Sequence, residues 1–514
     1  MAFDYSPYPY VPPPGLTAPE PRHKVAIIGA GPIGLALAVE LANHGVASVV
    51  LDDNNVVSVG SRAICWSKRS LEILDRLGVG ETCLAKGVTW KVGRTFHRDK
   101  EVFNFDLLPE DGHKMPAFIN LQQYYVEEFL VARAQALGVD LRWKNKVTDV
   151  VQGADHARLT VQTPDGPYHL DADWVIACDG ARSPVRTMMG LEFDGELFEE
   201  RFLIADIEMQ ADFPSERWFW FEPGFHNGQS ALLHKQPDNI YRIDLQLGWN
   251  TDPEVEKQPE RIIPRIEKVV GHANFKLDWT SIYTFQCRRL KKFVHDRVIF
   301  VGDSAHVVSP FGARGGNGGL QDVDALGWRL AAVVMQKAKP ALLAAYDQER
   351  CFGADENLLN SSRATRFMSP SEGAERLFRD AVLALAGKAA FARPMVNSGR
   401  LSRPCAYPLT GADDPALPMS ARPGMVAPDA PLAQGWLSES LRGQMVILAL
   451  NCPAPQIGIT ALQPEVTPLL AQRYLGQAAQ ALYLIRPDQV VAARWISPQA
   501  NQIQAANRAV WEGH

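Results

Sequence analysis

The sequence predicts an α/β protein that carries a separate antiparallel sheet and a small C-terminal α/β module. Three observations predict it. The stretch "HKVAIIGAGPIGLALAVELANHGVASVVLDD", His23 to Asp53, reads as a buried strand, a glycine turn, a helix, a short loop and a second strand, which is one βαβ unit. From about Val88 to Leu107, and again from about Phe202 to Phe285, period-two alternation replaces the helical period. There "RWFWFEPG", "SALLHKQ" and "YRIDLQLGW" read as antiparallel strands. Beyond a stretch rich in proline and glycine, "QMVILALN" and "QALYLIRPDQVVAARW" read as strands of a further module.

The elements follow in order. "MAFDYSPYPYVPPPGLTAPEP" is proline-rich with tyrosines and has no apolar secretion core. It reads as an extended arm, better taken as a disordered tail than as one that docks its aromatics. "SKRSLEILDRLGVG" is an amphipathic helix with Leu71, Leu74 and Leu77 on one face and a glycine stop, and "LQQYYVEEFLVARAQALG" is another. The chain returns to α/β texture at Arg297, and "DVDALGWRLAAVVMQ" is the clearest later helix.

The bulk numbers exclude several function classes. With 514 residues there is room for two or three domains. A net charge of −6 with no long basic block speaks against nucleic-acid and anionic-membrane partners. The longest apolar stretch, Val25 to Val39, is broken by four glycine or proline positions and is too short to span a bilayer. Seven scattered cysteines without a C-x-x-C pair point to reduced thiols in a cytoplasm. They speak against a disulfide framework and against a structural zinc.

Three motifs carry chemistry. "GAGPIG" follows a strand and opens a helix: Gly29 permits the tight turn, Gly31 lets a pyrophosphate approach the backbone, and Gly34 lets the helix pack on the strand. Asp52 ends the second strand, where an acid accepts from ribose hydroxyls. This pattern indicates a dinucleotide and does not separate FAD from NAD. "ADWVIACDGARSPVR" presents Asp179-Gly180 at a strand end, which by itself reads as a turn. In "RVIFVGDSAHVVSPFGARGGNGGLQD", a buried strand ends at Gly302-Asp303, and five glycines between Gly312 and Gly319 clear side chains from beside a flat ligand.

Together these segments resemble the GxGxxG, DG and GD motifs of the FAD-dependent aromatic hydroxylases, the group A flavoprotein monooxygenases. "PFGARGGNGGLQD" resembles that family's flavin-embracing loop and "GSRAICWSKRSLEILDRLG" its FAD-contacting helix. "RPGMVAPDAP" followed by "ALYLIRPDQVVAARW" resembles the thioredoxin-like tail of the phenol hydroxylase and 3-(3-hydroxyphenyl)propionate hydroxylase branch. The resemblance implies an α/β FAD-binding Rossmann-like domain with an α+β substrate domain and a C-terminal thioredoxin-like domain. The implied division is an arm over 1–22, a discontinuous FAD-binding domain over 23–185 and 286–395, a substrate sheet over 186–285 joined by 88–107, a linker over 396–424, and a thioredoxin-like domain without C-x-x-C over 425–514.

It also implies roles for residues. Gly29, Gly31 and Gly34 hold the pyrophosphate of non-covalent FAD and Asp52 the adenosine ribose. Arg62 and Gln123 contact the sugar–phosphate chain, and Val147 meets the adenine through its backbone. Asp179 touches FAD and the incoming NADH or NADPH. Asp303 accepts from the ribityl hydroxyls, and Pro310, Gly315, Gly316, Asn317 and Gly318 border the isoalloxazine. Ile64 departs from the pattern, because phenol hydroxylases carry an aspartate there that helps activate the phenol. Ala325 also departs, replacing a usual asparagine.

The implied reaction is NAD(P)H- and dioxygen-dependent hydroxylation of a phenolic substrate through a flavin C4a-hydroperoxide, in aromatic catabolism, by a cytoplasmic homodimer. His226, His234, Tyr241 and Tyr283 are either packed residues or candidates to activate the phenol. Arg288 either holds a substrate carboxylate or flavin, or makes a surface ion pair. Trp220, Tyr241 and Pro310 are candidates for the substrate pocket. Two other readings stay open: a flavin dehydrogenase or oxidase, and a redox-idle flavin-binding interaction protein.

Overall fold

The computed structural model describes residues 3–226, 229–248, 251–396, 401 and 403–513. Its main sheet has the order Val294–His295, Val298–Phe300, Gly166–Ala177, His23–Ile28, Ser48–Leu51 and Asp140–Arg142. Ala157–Thr163 and Lys146–Gln152 extend Gly166–Ala177 as an antiparallel ribbon. The five strands from Val298–Phe300 to Asp140–Arg142 run parallel. The central ones are buried on both faces and therefore read as continuous apolar runs. Pro32 starts the helix Pro32–Asn43, where its missing N–H costs nothing. The helix Gly315–Val334 is buried nearly all round because it packs against Lys68–Arg76, Pro32–Asn43 and Leu342–Met368.

One row of this sheet decides where the motifs meet. Leu51 pairs with Ile28, Ile28 with Ala177, and Ala177 with Phe300. Each is the last residue of its strand. Asp52, Gly29, Asp179 and Asp303 thus leave the sheet side by side, although up to 274 positions separate them in the chain (303 − 29).

The second sheet has the order His306–Val307, Lys276–Arg289, Asp194–Glu208, Ile240–Gln246, Ala231–Lys235, Arg217–Phe221, Val92–His97 and Lys100–Asp106. It is antiparallel except between Arg217–Phe221 and Val92–His97. It runs on to Arg289 and takes an edge strand, His306–Val307, from inside the third motif. One face packs Leu203, Tyr241, Ile243 and Leu245 against Ile262 and Ile266 of the helix Pro259–Val270. Val88–Trp90 lies instead in a small sheet with Phe118–Asn120 and Cys65–Ser67.

The C-terminal module is a four-stranded sheet ordered Thr460–Leu462, Val446–Leu450, Ala481–Ile485, Val491–Trp495, apolar on both faces. The stretch read as a linker is tied down where it is described. Gly424 N donates to Val491 O at 2.9 Å, and Asp413 pairs with the buried Arg494 at 2.6 Å. Residues 397–400 and 402 of it lie outside the described residues, as do 1, 2 and 514. The arm is not a free tail. Tyr8 stacks on Trp143 with centroids 4.6 Å apart, and Phe3 and Tyr5 pack on Tyr124. Its aromatics find apolar partners, which offsets the entropy of ordering the arm.

A buried ionic lattice fastens the C-terminal module to the helices behind the motifs. Arg486 grips Glu349 at 2.7 and 2.9 Å and Asp488 at 2.6 Å. Arg329 also binds Glu349, at 2.8 Å. Arg69 reaches Gln489 and the Asp488 carbonyl, both at 2.7 Å, as well as Asp324. Removing one cation from such a lattice strands buried carboxylates. Arg486→Ala should lower the unfolding free energy by about 3–5 kcal/mol in urea titrations. Arg366→Ala, which breaks an exposed pair with Glu196, should cost under about 1 kcal/mol. Equal effects of the two would refute the lattice as a stabilising element.

Candidate functional site

The three motif ends open into a cavity of about 480 Å³. Its lining includes Gly29, Gly31, Asp52, Arg62, Gln123, Val147, Asp179, Asp303, Pro310, Gly315, Gly316 and Asn317. The same cavity continues onto the second sheet, where His234, Tyr283, Arg217, Arg242 and Asp244 line it.

The three fingerprint glycines do different things. Gly29 has φ +104°, and a Cβ there would stand 2.6 Å from the Cys178 carbonyl. At Gly34 a Cβ would lie 1.9 Å from the Gly29 carbonyl, so Gly34 sets helix–strand contact and does not line the cavity. At Gly31 a Cβ would meet no atom within 4 Å and would stand in the cavity itself. That bare position beside a helix N-terminus suits a phosphate.

The acids fit hydroxyl-rich ligands. Asp52 accepts from Ala30 N at 2.6 Å and Asn54 N at 2.8 Å, which fixes its carboxylate at the strand end. Asp179 Oδ2 accepts from Val185 N at 3.0 Å, while its buried Oδ1 has no partner. Asp303 is open to the cavity yet surrounded by protein. Burial pushes the carboxyls of all three above the ordinary range. Gln123 holds Ser58 at 3.0 Å and Glu127 at 2.8 Å through its amide nitrogen. An unpartnered carboxylate oxygen, a glycine-lined helix start and the bare Gly31 together fit FAD.

Several expected residues sit elsewhere or act otherwise. The side chain of Asn317 is fully committed. Its oxygen accepts from Ser67 N at 2.9 Å and Ser70 Oγ at 2.5 Å, and its nitrogen donates to Cys65 O at 2.8 Å and Ala313 O at 2.6 Å. It clamps the 65–70 segment to the glycine helix and leaves only backbone for a ligand. Gly318 lies off the cavity, with His306 and Asn357 3.3 Å from where a Cβ would be.

Trp220 and Tyr241 face away from the cavity, into the cluster under Pro259–Val270. Strand alternation dictates this: Arg217 and Arg242 point to the cavity, so their odd neighbours do not. His226 lies outside the lining too, with its ring 2.7 Å from Gln246 O. Arg288 is likewise off the cavity, because its guanidinium donates to Phe193 O at 2.9 Å and lies over the Phe193 ring. His234, Tyr283 and Pro310 do line it.

Arg217, Arg242 and Asp244 were not anticipated. The signal was present in "YRIDLQ", where Arg242 and Asp244 alternate with Tyr241, Ile243 and Leu245. Arg242 is bound to Asp206 at 2.7 and 2.8 Å.

Comparison with known proteins places this geometry. Residues 22–361 match the family model described as FAD binding domain. The chain is 29% identical over 484 residues to a flavin-dependent monooxygenase of Mycobacteroides abscessus, covering 90% of this chain and 95% of the relative. It is 30% identical over 424 residues to 3-(3-hydroxy-phenyl)propionate/3-hydroxycinnamic acid hydroxylase 2 of Burkholderia vietnamiensis, covering 80% and 76%. Among solved structures, the flavin-dependent monooxygenase PieE in complex with FAD and substrate shares the fold. Its TM-score is 0.83 at 19% identity, over 97% of this chain and 100% of that one.

The glycines supply a direct test. Gly31→Ala should leave the ligand-free protein within about 0.5 kcal/mol of the parent but weaken FAD at least tenfold in fluorescence titration. Gly34→Ala should instead cost stability by about 1–3 kcal/mol through overpacking. The reverse pattern would overturn the assignment of the two positions.

Proposed function

The chain belongs to the FAD-binding-domain family of FAD-dependent aromatic hydroxylases, and from that premise we propose an NAD(P)H-dependent flavin monooxygenase that hydroxylates a phenolic ring. One observation carries the reading. The sheet register delivers three dispersed motifs to a cavity that continues onto a polar sheet face.

In this reading Gly31 and the start of Pro32–Asn43 receive the FAD pyrophosphate. Asp52, Arg62, Gln123 and the Val147 backbone hold the adenosine half. Asp303 accepts from the ribityl chain, and Pro310, Gly315 and Gly316 border the ring. Asp179 takes a hydroxyl through the oxygen left without a partner. Bound FAD, reduced by NADH or NADPH, supplies activated oxygen from dioxygen. The chain's own part is to bind the ring beside it, exclude water and govern the substrate proton.

A homodimer and a role in aromatic catabolism belong to the same proposal, as does the domain division over 1–22, 23–185 with 286–395, 186–285, 396–424 and 425–514. So does a thioredoxin-like C-terminal module, supported by its four-stranded sheet between helices. Cys452 donates to Ala481 O at 3.5 Å, and no other cysteine of the module accompanies it, so the module acts as a brace rather than in thiol exchange.

The purified protein should be yellow and oxidise NADH or NADPH slowly, and a phenol from a panel should accelerate that oxidation and gain one oxygen atom by mass. A yellow protein that no phenol stimulates would favour the dehydrogenase or redox-idle readings. Asp303→Ala should retain less FAD and melt lower as isolated, because binding stabilises the folded state. Full flavin content in that variant would remove Asp303 from the site.

A further inference from the structure

Arg217 is the unusual charge of this molecule. It is 4% exposed and makes no hydrogen bond or ion pair among the described residues. Its Nε and Nη1 are buried without hydrogen-bond partners, its guanidinium lies 4.7 Å from the centre of the Phe219 ring, and Cys65 and Asp244 are the groups whose charge acts on it. Other buried arginines differ: Arg69, Arg242, Arg329, Arg350 and Arg486 each hold a carboxylate. A buried guanidinium that no carboxylate grips is costly, and a site that keeps one suits an anion. Arg217 lines the same cavity as the motif ends.

Asp244 lines it too, two strands away across Ala231–Lys235. Its Oδ1 has no partner, and its Oδ2 stands 3.7 Å from His234 Nε2, too far for a hydrogen bond. The groups around it are Arg242 on its own strand, His234 and Arg217 on the next two, Asp206 on the other side and Cys65 beneath. Arg242 is occupied by Asp206. Burial, together with Arg217 and Arg242, holds His234 well below its ordinary pKa, so His234 is neutral. Burial raises the Cys65 thiol and the Tyr283 hydroxyl, so both keep their protons. Ile64 presents only carbon to this cavity.

We propose that Arg217 and Asp244 form the substrate-oxygen site: Arg217 takes the ionised oxygen of a phenol and Asp244 accepts its proton. This rests on the hydroxylase reading above. The phenolic O–H bond breaks and an O–H bond forms on Asp244. The electron pair stays on the oxygen facing Arg217 and spreads to the ring carbon that receives the new oxygen. When that carbon loses its hydrogen as a proton, the ring regains aromaticity, the proton leaves with the second oxygen atom of dioxygen as water, and the phenolic oxygen recovers its own proton from Asp244. Nothing is consumed beyond the dioxygen and reduced nicotinamide of the overall reaction. Burial raises the Asp244 carboxyl to about 6, against the pull of Arg242 and Arg217. A base so placed works near neutrality, and the Arg217 cation makes the phenol acidic enough to yield its proton.

The test uses the oxidised FAD holoenzyme and p-nitrophenol, whose phenolate absorbs at longer wavelength than the phenol. Bound to the wild type, the probe should ionise at lower pH than free in solution. Arg217→Met should abolish that shift and raise the dissociation constant about tenfold or more, the equivalent of about 1.4 kcal/mol. The same variant should melt higher when ligand-free, since an unpaired buried charge is gone, whereas loss of a structural arginine would lower melting. Arg217→Lys should restore part of the shift.

For a phenol that is turned over, hydroxylation should rise as pH increases through about 6, because Asp244 acts unprotonated. Asp244→Asn should remove that limb and slow hydroxylation about 100-fold or more, with binding nearly unchanged. If both variants keep the ionisation shift and the pH limb while the wild type hydroxylates phenols, this site is wrong and the hydroxylase reading stands. A wild type that binds and hydroxylates no phenol overturns both.

Discussion

A single carboxylate with no exposure, Asp322, holds the architecture of the cofactor side together. Its Oδ2 accepts from Gly302 N at 2.9 Å and from His306 Nε2 at 2.7 Å, and its Oδ1 accepts from Arg350 Nε at 2.6 Å. Arg350 in turn donates to the Tyr407 hydroxyl at 2.8 Å and to Gly318 O at 3.3 Å. Burial alone would raise this acid, but His306 and Arg350 outweigh it and hold it below the ordinary range. The third motif, the glycine helix, the long helix Leu342–Met368 and the segment leading to the C-terminal module therefore share one charge. Because Gly302 N is pinned, the next residue, Asp303, is aimed at the cavity.

The cavity is built from charges that are incompletely satisfied by the protein. Asp52, Asp179 and Asp303 are all more easily protonated than in water. With folded-state pKa values above the unfolded ones, these acids cost the ligand-free protein stability as pH rises above the ordinary carboxylate range. Hydroxyl donors from a sugar chain remove that cost. On the sheet side the unsatisfied groups carry both signs, Arg217 with Nε and Nη1 unpartnered and Asp244 with Oδ1 unpartnered. The cavity thus asks for donors at one region and an anion at another, which one flavin cofactor and one phenolate supply.

Much of this was legible in the chain. The βαβ unit, the strand ends that carry Asp52, Asp179 and Asp303, and the alternating strands all follow from local pattern, because buried parallel strands and half-buried antiparallel ones have different periods. What local pattern lacks is register and facing. Nothing near Arg288 says that Phe193, 95 positions away, will take its guanidinium. Asn317 looked like a flavin residue because it stands among glycines, and only the fold reveals Ser67, Ser70 and Cys65 around its amide. Arg217 and Asp244 could have been found by asking which face of each alternating strand is polar and what could be buried against it. The arm deceived by composition: prolines and tyrosines suggest a loose tail, yet Tyr8 has a flat indole, Trp143, to lie on.

The ionic lattice at Asp488 also orders events in time. Arg69, Arg329 and Glu349 are joined to the chain first, and Arg486, Asp488 and Gln489 follow at least 137 positions later (486 − 349). Until then, the helices Lys68–Arg76, Gly315–Val334 and Leu342–Met368 hold these charges with only part of their ionic partners. A molecule broken short of residue 486 keeps the Arg329–Glu349 and Arg69–Asp324 pairs but lacks the second cation on Glu349 and the Gln489 and Asp488 acceptors of Arg69.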